Sequence, residues 1–106
     1  MAAASAREFF DELAARTAGG SERTRGLRAT YRFDVDGAGS WVVAVDDGAV
    51  SIREGDDAAD CVIGASEETF LKIVAGKQNP LTALLTGKIR LEGDTALAMR
   101  LRDLLG

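Results

Sequence analysis

Between Leu27 and Val35 every second residue is apolar: Leu27, Ala29, Tyr31, Phe33 and Val35 alternate with Arg28, Thr30, Arg32 and Asp34. A helix repeats every 3.6 residues and cannot keep such a pattern on one face, whereas a strand, with its repeat of two, can. The alternation commits this stretch to a sheet with one apolar and one polar face. "DVDGAGS" then turns the chain, and Trp41, Val43 and Val45 begin a second strand. Asp47-Gly48 in "VDDGAV" is a strong tight-hairpin signal, and it leads to Val50 and Ile52 in a third. After the acidic loop "EGDDAAD", "CVIGA" reads as a short fourth strand. Four successive strands joined in this way predict an antiparallel meander whose apolar face must be covered.

The cover lies at the two ends of the chain. Ser5 and Glu8 form a capping-box pattern. Phe9, Phe10, Leu13 and Thr17 then mark one face of a helix that Gly19-Gly20 stops. Ser66 can cap a second helix, with Glu67 and Glu68 in its first turn and Phe70, Leu71, Ile73 and Val74 on its apolar face. Asn79-Pro80 starts a short third one, "LTALL", because asparagine caps well and proline suits the first helical position. "KIRLE" alternates again as a fifth strand, and Asp94 caps a last helix, "TALAMRLRDLL". The expected fold is α+β, a five-stranded mainly antiparallel sheet with helices covering one face. Residues 1–106 are enough for one domain and leave no room for a second.

Composition narrows the chemistry. A net charge of −4 argues against nucleic acid as a partner, since phosphate binding needs a basic face. The chain has no histidine, which removes His-based triads, His metal sites and the usual near-neutral acid–base group. Cys61 with carboxylates would make a poor zinc site. The chain is therefore expected to be no enzyme and to carry no metal or other cofactor. One cysteine excludes an internal disulfide and fits a reducing compartment. No apolar run reaches the ~20 residues that span a bilayer. The first residues lack the basic and apolar regions of a signal peptide. The expected location is cytoplasmic.

Two Gly-Lys pairs, Gly76-Lys77 and Gly87-Lys88, invite a phosphate-loop reading. The motif needs a glycine five residues before its second glycine, and Ser or Thr after the lysine. Here those positions hold Leu71 and Gln78 for the first pair, and Thr82 and Ile89 for the second. The glycines are better explained as helix stops.

From Ala59 to Leu105, "ADCVIGASEETFLKIVAGKQNPLTALLTGKIRLEGDTALAMRLRDLL" resembles the sterol carrier protein 2 (SCP2) sterol-binding domain family, in its stand-alone bacterial-type form. Gly76, Lys77, Asn79, Pro80, Gly87, Lys88, Ile89, Leu91, Gly93, Leu97, Ala98 and Met99 fall in order on the family pattern. "GSWVVAVDDGAVSI" matches its hairpin register, so the resemblance covers nearly everything after Leu27. It implies the same fold and a non-enzymatic lipid-binding module. A fatty acid, acyl-CoA, phospholipid or sterol would lie in an apolar tunnel between sheet and helices. The alternative it implies is an accessory or scaffold protein that presents an isoprenoid-quinone or other lipid intermediate to partner enzymes. The final "DLLG" departs from the Ser-Lys-Leu peroxisomal address of many relatives.

On that resemblance the ligand-binding candidates are Phe9, Phe10, Leu13, Trp41, Val43, Ile63, Phe70, Val74, Leu81, Leu84, Leu85, Leu97, Leu101 and Leu105. Taken singly, each of them is better read as ordinary core, Trp41 included, and only the resemblance raises the set as a whole to a ligand site. Cys61 is expected to be an inert, buried thiol on the helix-facing side of the sheet. Met99 projects opposite the leucine face of the last helix and suits a transient membrane or lipid-enzyme contact, or no contact at all. Arg23, Arg25, Arg28 and Arg32 could meet a lipid headgroup at a tunnel mouth, or form a solvated face opposed to Asp56, Asp57 and Asp60.

Overall fold

A computed structural model describes residues 4–20 and 22–105, with the side chains of Arg23 and of residues 101–105 outside the description. Helix α1 (Ala6–Thr17) is followed by a single 3-10 turn, Glu22–Thr24. The strands β1 (Arg28–Asp36), β2 (Gly39–Asp46), β3 (Ala49–Glu54) and β4 (Cys61–Ser66) come next. Helices α2 (Glu67–Val74) and α3 (Pro80–Leu85), strand β5 (Ile89–Gly93) and helix α4 (Thr95–Leu105) complete the chain. The sheet order is β3-β2-β1-β4-β5.

The first three strands form the expected meander, with Asp47-Gly48 joining β2 to β3. The fourth departs from it. Strand β4 crosses to the far side of β1 and pairs with it in parallel, Tyr31 beside Cys61 and Phe33 beside Ile63. Antiparallel β5 then closes that edge. The connection from β3 must pass three strand spacings of about 4.8 Å each, which six extended residues can reach and a tight hairpin loop cannot. Arginines on the polar face hold it in place. Arg32 donates from Nη1 to the backbone carbonyls of Asp56 (3.2 Å) and Asp57 (3.4 Å), and Arg53 pairs with the Asp57 carboxylate. Val42, a polar-face position, is nonetheless buried, flanked on its neighbouring strands by Arg32 and Arg53.

The helix caps follow the sequence. The Ser5 hydroxyl accepts from Glu8 N–H (3.1 Å), Ser66 from Thr69 N–H (3.2 Å), and the Asn79 side chain from Leu81 and Thr82 N–H (2.8 and 3.2 Å). Asp94 Oδ1 accepts from Ala96 and Leu97 N–H at the start of α4 (2.9 and 3.4 Å). Both Gly-Lys pairs are helix stops. Gly76 and Gly87 each adopt φ +77°, a conformation costly for residues with a Cβ. The following N–H reaches back across the last turn, Lys77 to Lys72 O and Lys88 to Ala83 O, both 2.8 Å.

The core lies between the helices and one face of the sheet. Phe9, Phe10 and Leu13 of α1 and Phe70 of α2 pack onto Tyr31, Phe33, Trp41 and Val43. Phe10 stacks on Trp41 and on Phe70, with ring centroids 4.9 and 5.4 Å apart, and Phe9 meets Phe10 and Phe70 edge-on. Such pairs add about 0.5–1.5 kcal/mol each beyond their buried area.

Candidate functional site

The helix-facing surface of the sheet is unevenly covered. Under α1 and α2 the core-facing side chains of β1 and β2 are closed off from solvent, with Trp41 among the aromatic rings as core, while Val50 and Ile52 of the edge strand β3 are half-buried. Toward β4 and β5 the covering thins. Ile63, Ile89 and Leu91 share the face of Phe33 and Ala65 through the strand register, yet each is only half-buried. Val74 from α2 and Leu97 and Ala98 from α4 border them and are half-buried too. Together they form an aliphatic strip beside a dense aromatic core.

Tyr31 and Cys61 lie at the seam between these regions, both completely buried. The Tyr31 hydroxyl donates to the backbone carbonyl of Leu97 at 2.7 Å, tying strand β1 to helix α4. Burial raises the pKa of both groups, with the carboxylates of Asp94 and Asp60 adding to the effect on Cys61. The thiol is buried on the expected side of the sheet, where a raised pKa disfavours the reactive thiolate. Tyr31 is a buried tie between β1 and α4 that strand alternation alone does not reveal. Its signal is chemical: a buried phenol needs an acceptor.

The structure brings together Phe9, Phe10, Leu13, Trp41, Val43 and Phe70 as core, with Ile63, Val74 and Leu97 packed partly buried against it. Leu81, Leu84 and Leu85 of α3 depart from the inward orientation expected of them. Ala83 is the residue α3 buries, and Leu81 and Leu85 project from the opposite side, 62% and 78% exposed. With 100° per residue, an inward Ala83 places its neighbours two positions away about 160° around the helix. The side chains of Leu101 and Leu105 lie outside the described residues. Met99 is exposed, as its helical position implies.

On the opposite face of the sheet, polar side chains satisfy one another. Arg32 grips the Asp34 carboxylate through Nε and Nη2, both at 3.0 Å, and Ser40 donates to the same group at 2.8 Å. Arg90 crosses β4 to reach Asp36 at 3.0 and 3.2 Å. Gly64 makes that crossing possible, since a Cβ there would come within 2.7 Å of the Arg90 guanidinium. Arg28 pairs with Asp46. Of the arginines grouped in the sequence reading, Arg32 reaches the acidic loop through the backbone of Asp56 and Asp57, while the carboxylate partners of Arg28 and Arg32 are Asp46 and Asp34, and the side chain of Arg23 lies outside the described residues. Among the described residues no three His, Cys, Asp or Glu side chains converge where a metal ion could sit. No helix among them is long and apolar enough to cross a membrane.

The comparisons with known proteins agree with this geometry. Residues 10–106 match the model of the SCP-2 sterol transfer family. Human sterol carrier protein 2 is 35% identical over 91 residues, covering 80% of this chain and 17% of that protein. The chain spans 17–21% of the length of the curated relatives it matches. The solution structure of sterol carrier protein domain 2 of Helicoverpa armigera superposes with a TM-score of 0.70 at 30% identity, over 92% of this chain and 82% of that one. That of palmitated SCP2L2 from Aedes aegypti has a TM-score of 0.74 at 22% identity, over 95% and 94%. With its fold, its core and nearly its whole length accounted for in this way, the chain belongs to the SCP-2 sterol transfer family.

Proposed function

We propose that this chain is a non-enzymatic carrier of an apolar lipid, working as one cytoplasmic module without a cofactor. The observation that carries the reading is the set of aliphatic residues Ile63, Ile89, Leu91, Val74, Leu97 and Ala98, left partly covered toward the β4–β5 edge of the helix-facing surface. Contiguous apolar surface that a protein leaves uncovered marks a place where something apolar is bound. A fatty acyl chain fits the chemistry. The strip offers methyl and methylene groups, and Tyr31, the polar group beside it, is already engaged with Leu97 O. That a relative of the same fold carries palmitate supports the same ligand class. A phospholipid, acyl-CoA or sterol would use the same surface.

Organic extraction of the purified protein followed by mass spectrometry should recover a stoichiometric lipid, and a fluorescent fatty acid should bind saturably and be displaced by palmitate. Extracts free of lipid together with no saturable binding would refute the carrier reading. Presentation of a lipid to an enzyme would use the same strip, and a pull-down with the lipid-loaded protein separates that scaffold role from simple carriage.

A further inference from the structure

Helix α3 turns its leucines away from the protein. Leu81 and Leu85 are one helical turn apart and 62% and 78% exposed, while Ala83 on the other side is fully buried. Exposing two leucines on a six-residue helix costs solubility without adding to the core. The charges around them are also unusual for this chain. All 17 of its acidic residues lie outside residues 69–91, although its net charge is −4. Lys72, Lys77 and Lys88 are its lysines, and all fall inside that stretch. Lys72 is paired with Glu68, but Lys77 and Lys88, just before and just after α3, are exposed and form no ion pair among the described residues.

We propose that α3 is a membrane-docking element that seats Leu81 and Leu85 in the surface of an anionic bilayer, with Lys77 and Lys88 on lipid headgroups at its two ends. Shallow burial of an apolar helix face combined with flanking lysines is the physics of interfacial binding. Lysine suits the flanks, because its alkyl stem lies along apolar surface while the ammonium stays in water. A second copy of the chain is a poorer occupant. A stable dimer buries roughly 800 Å² per partner, more than one short helix supplies, and the lysines of two copies would repel. The proposal takes its purpose from the carrier reading, since a lipid carrier has to load and unload at a membrane.

Sedimentation of the full chain with phosphatidylcholine vesicles containing about one-third phosphatidylglycerol tests it. The wild type should bind these vesicles and bind pure phosphatidylcholine at least tenfold more weakly. Leu81→Ser with Leu85→Ser should weaken binding at least tenfold, and Lys77→Gln with Lys88→Gln by about fivefold per lysine. These residues are exposed, so urea midpoints should stay at the wild-type value. Affinity for a fluorescent fatty acid, measured without vesicles, should also be unchanged. Three results would overturn the proposal: vesicle binding that ignores the substitutions, fatty-acid affinity lost in parallel with it, or a wild-type dimer in analytical ultracentrifugation that the leucine changes dissolve. Vesicle binding through α3 by a protein that takes up no fatty acid would leave the docking surface standing and remove the carrier reading.

Discussion

The two halves of the helix-facing surface are made of different material. Under α1 and α2 the sheet meets four phenylalanines and Trp41 in one connected cluster. Toward the other edge, strands β4 and β5 supply Cys61, Ile63, Ala65, Ile89 and Leu91, smaller residues of which the larger are half-buried. Rigid rings fill space densely and hold their geometry, whereas aliphatic side chains beside an incompletely covered surface can rearrange around a guest. On the carrier reading proposed above, stability belongs to the first half and exchangeable space to the second. A carrier benefits from that division, because its site can empty and fill without loosening the part that keeps it folded.

The most direct way to break the comparison is to truncate one side chain in each half. Phe10 is fully buried and touches Phe9, Phe33, Trp41 and Phe70, so Phe10→Ala should cost about 3–5 kcal/mol of stability by urea unfolding. Leu91 is only partly buried, and Leu91→Ala should cost roughly 1–2 kcal/mol, below the range of fully buried leucines. The fatty-acid affinity of Leu91→Ala should fall while that of any folded Phe10→Ala is retained. Equal losses of stability at the two positions would erase the distinction between the halves.

Tyr31→Phe tests the seam. The substitution removes only the hydroxyl that donates to Leu97 O, at an expected cost of about 1–2 kcal/mol. The effect should be uneven, with amide hydrogen exchange rising in α4 and staying at the wild-type rate in α1. A uniform rise would mean that the hydroxyl supports the whole fold rather than the cover over the aliphatic half. Its pH dependence has a definite sign. Burial raises the phenol's pKa above its ordinary 10.0, so the folded state favours the neutral form. The contribution is complete below pH 10 and is lost as the pH rises through the folded value.

The regular parts of this architecture were legible because they rest on local physics. The alternation from Leu27 to Val35, the Asp47-Gly48 hairpin, the Ser66 and Asn79 caps and the glycine stops each depend on a few neighbouring residues. The parallel placement of β4 was not legible. It rests on non-local contacts, the pairing of β4 with β1 and the reach of Arg32 to the backbone of Asp56 and Asp57 in the acidic connection, which no short stretch of sequence displays. The outward turn of Leu81 and Leu85 was hidden for a similar reason. In a six-residue helix that presents leucines on several sides, the residue that faces inward is decided by the contact with β5, and here it is Ala83. Cys61 was easier, because strand parity puts it on the face of Tyr31 as soon as the two strands pair.

The smallest expected effect lies on the polar face and sets a baseline for both halves. Asp34 is held below its ordinary carboxyl pKa of 3.8, first by the hydrogen bonds from Arg32 and then, against an opposing effect of burial, by Ser40. A lowered folded value means that the folded state favours the ionised form. The stabilisation is therefore complete well above pH 3.8 and is lost as the pH falls through that value toward the folded one. Both side chains of the pair are partly exposed, which limits its worth at neutral pH to about 1 kcal/mol. Asp34→Asn should show that loss in urea unfolding at pH 7, and its stability curve should converge with the wild type's as the pH drops below about 4. Since neither helix-facing half includes this pair, fatty-acid affinity should be unchanged in the variant. A gap in stability that persists below the pH at which Asp34 itself titrates in the folded protein, followed by carboxyl NMR, would show that Asp34 acts through the geometry of β1 rather than through its charge, and would tie the polar face to the packing behind it.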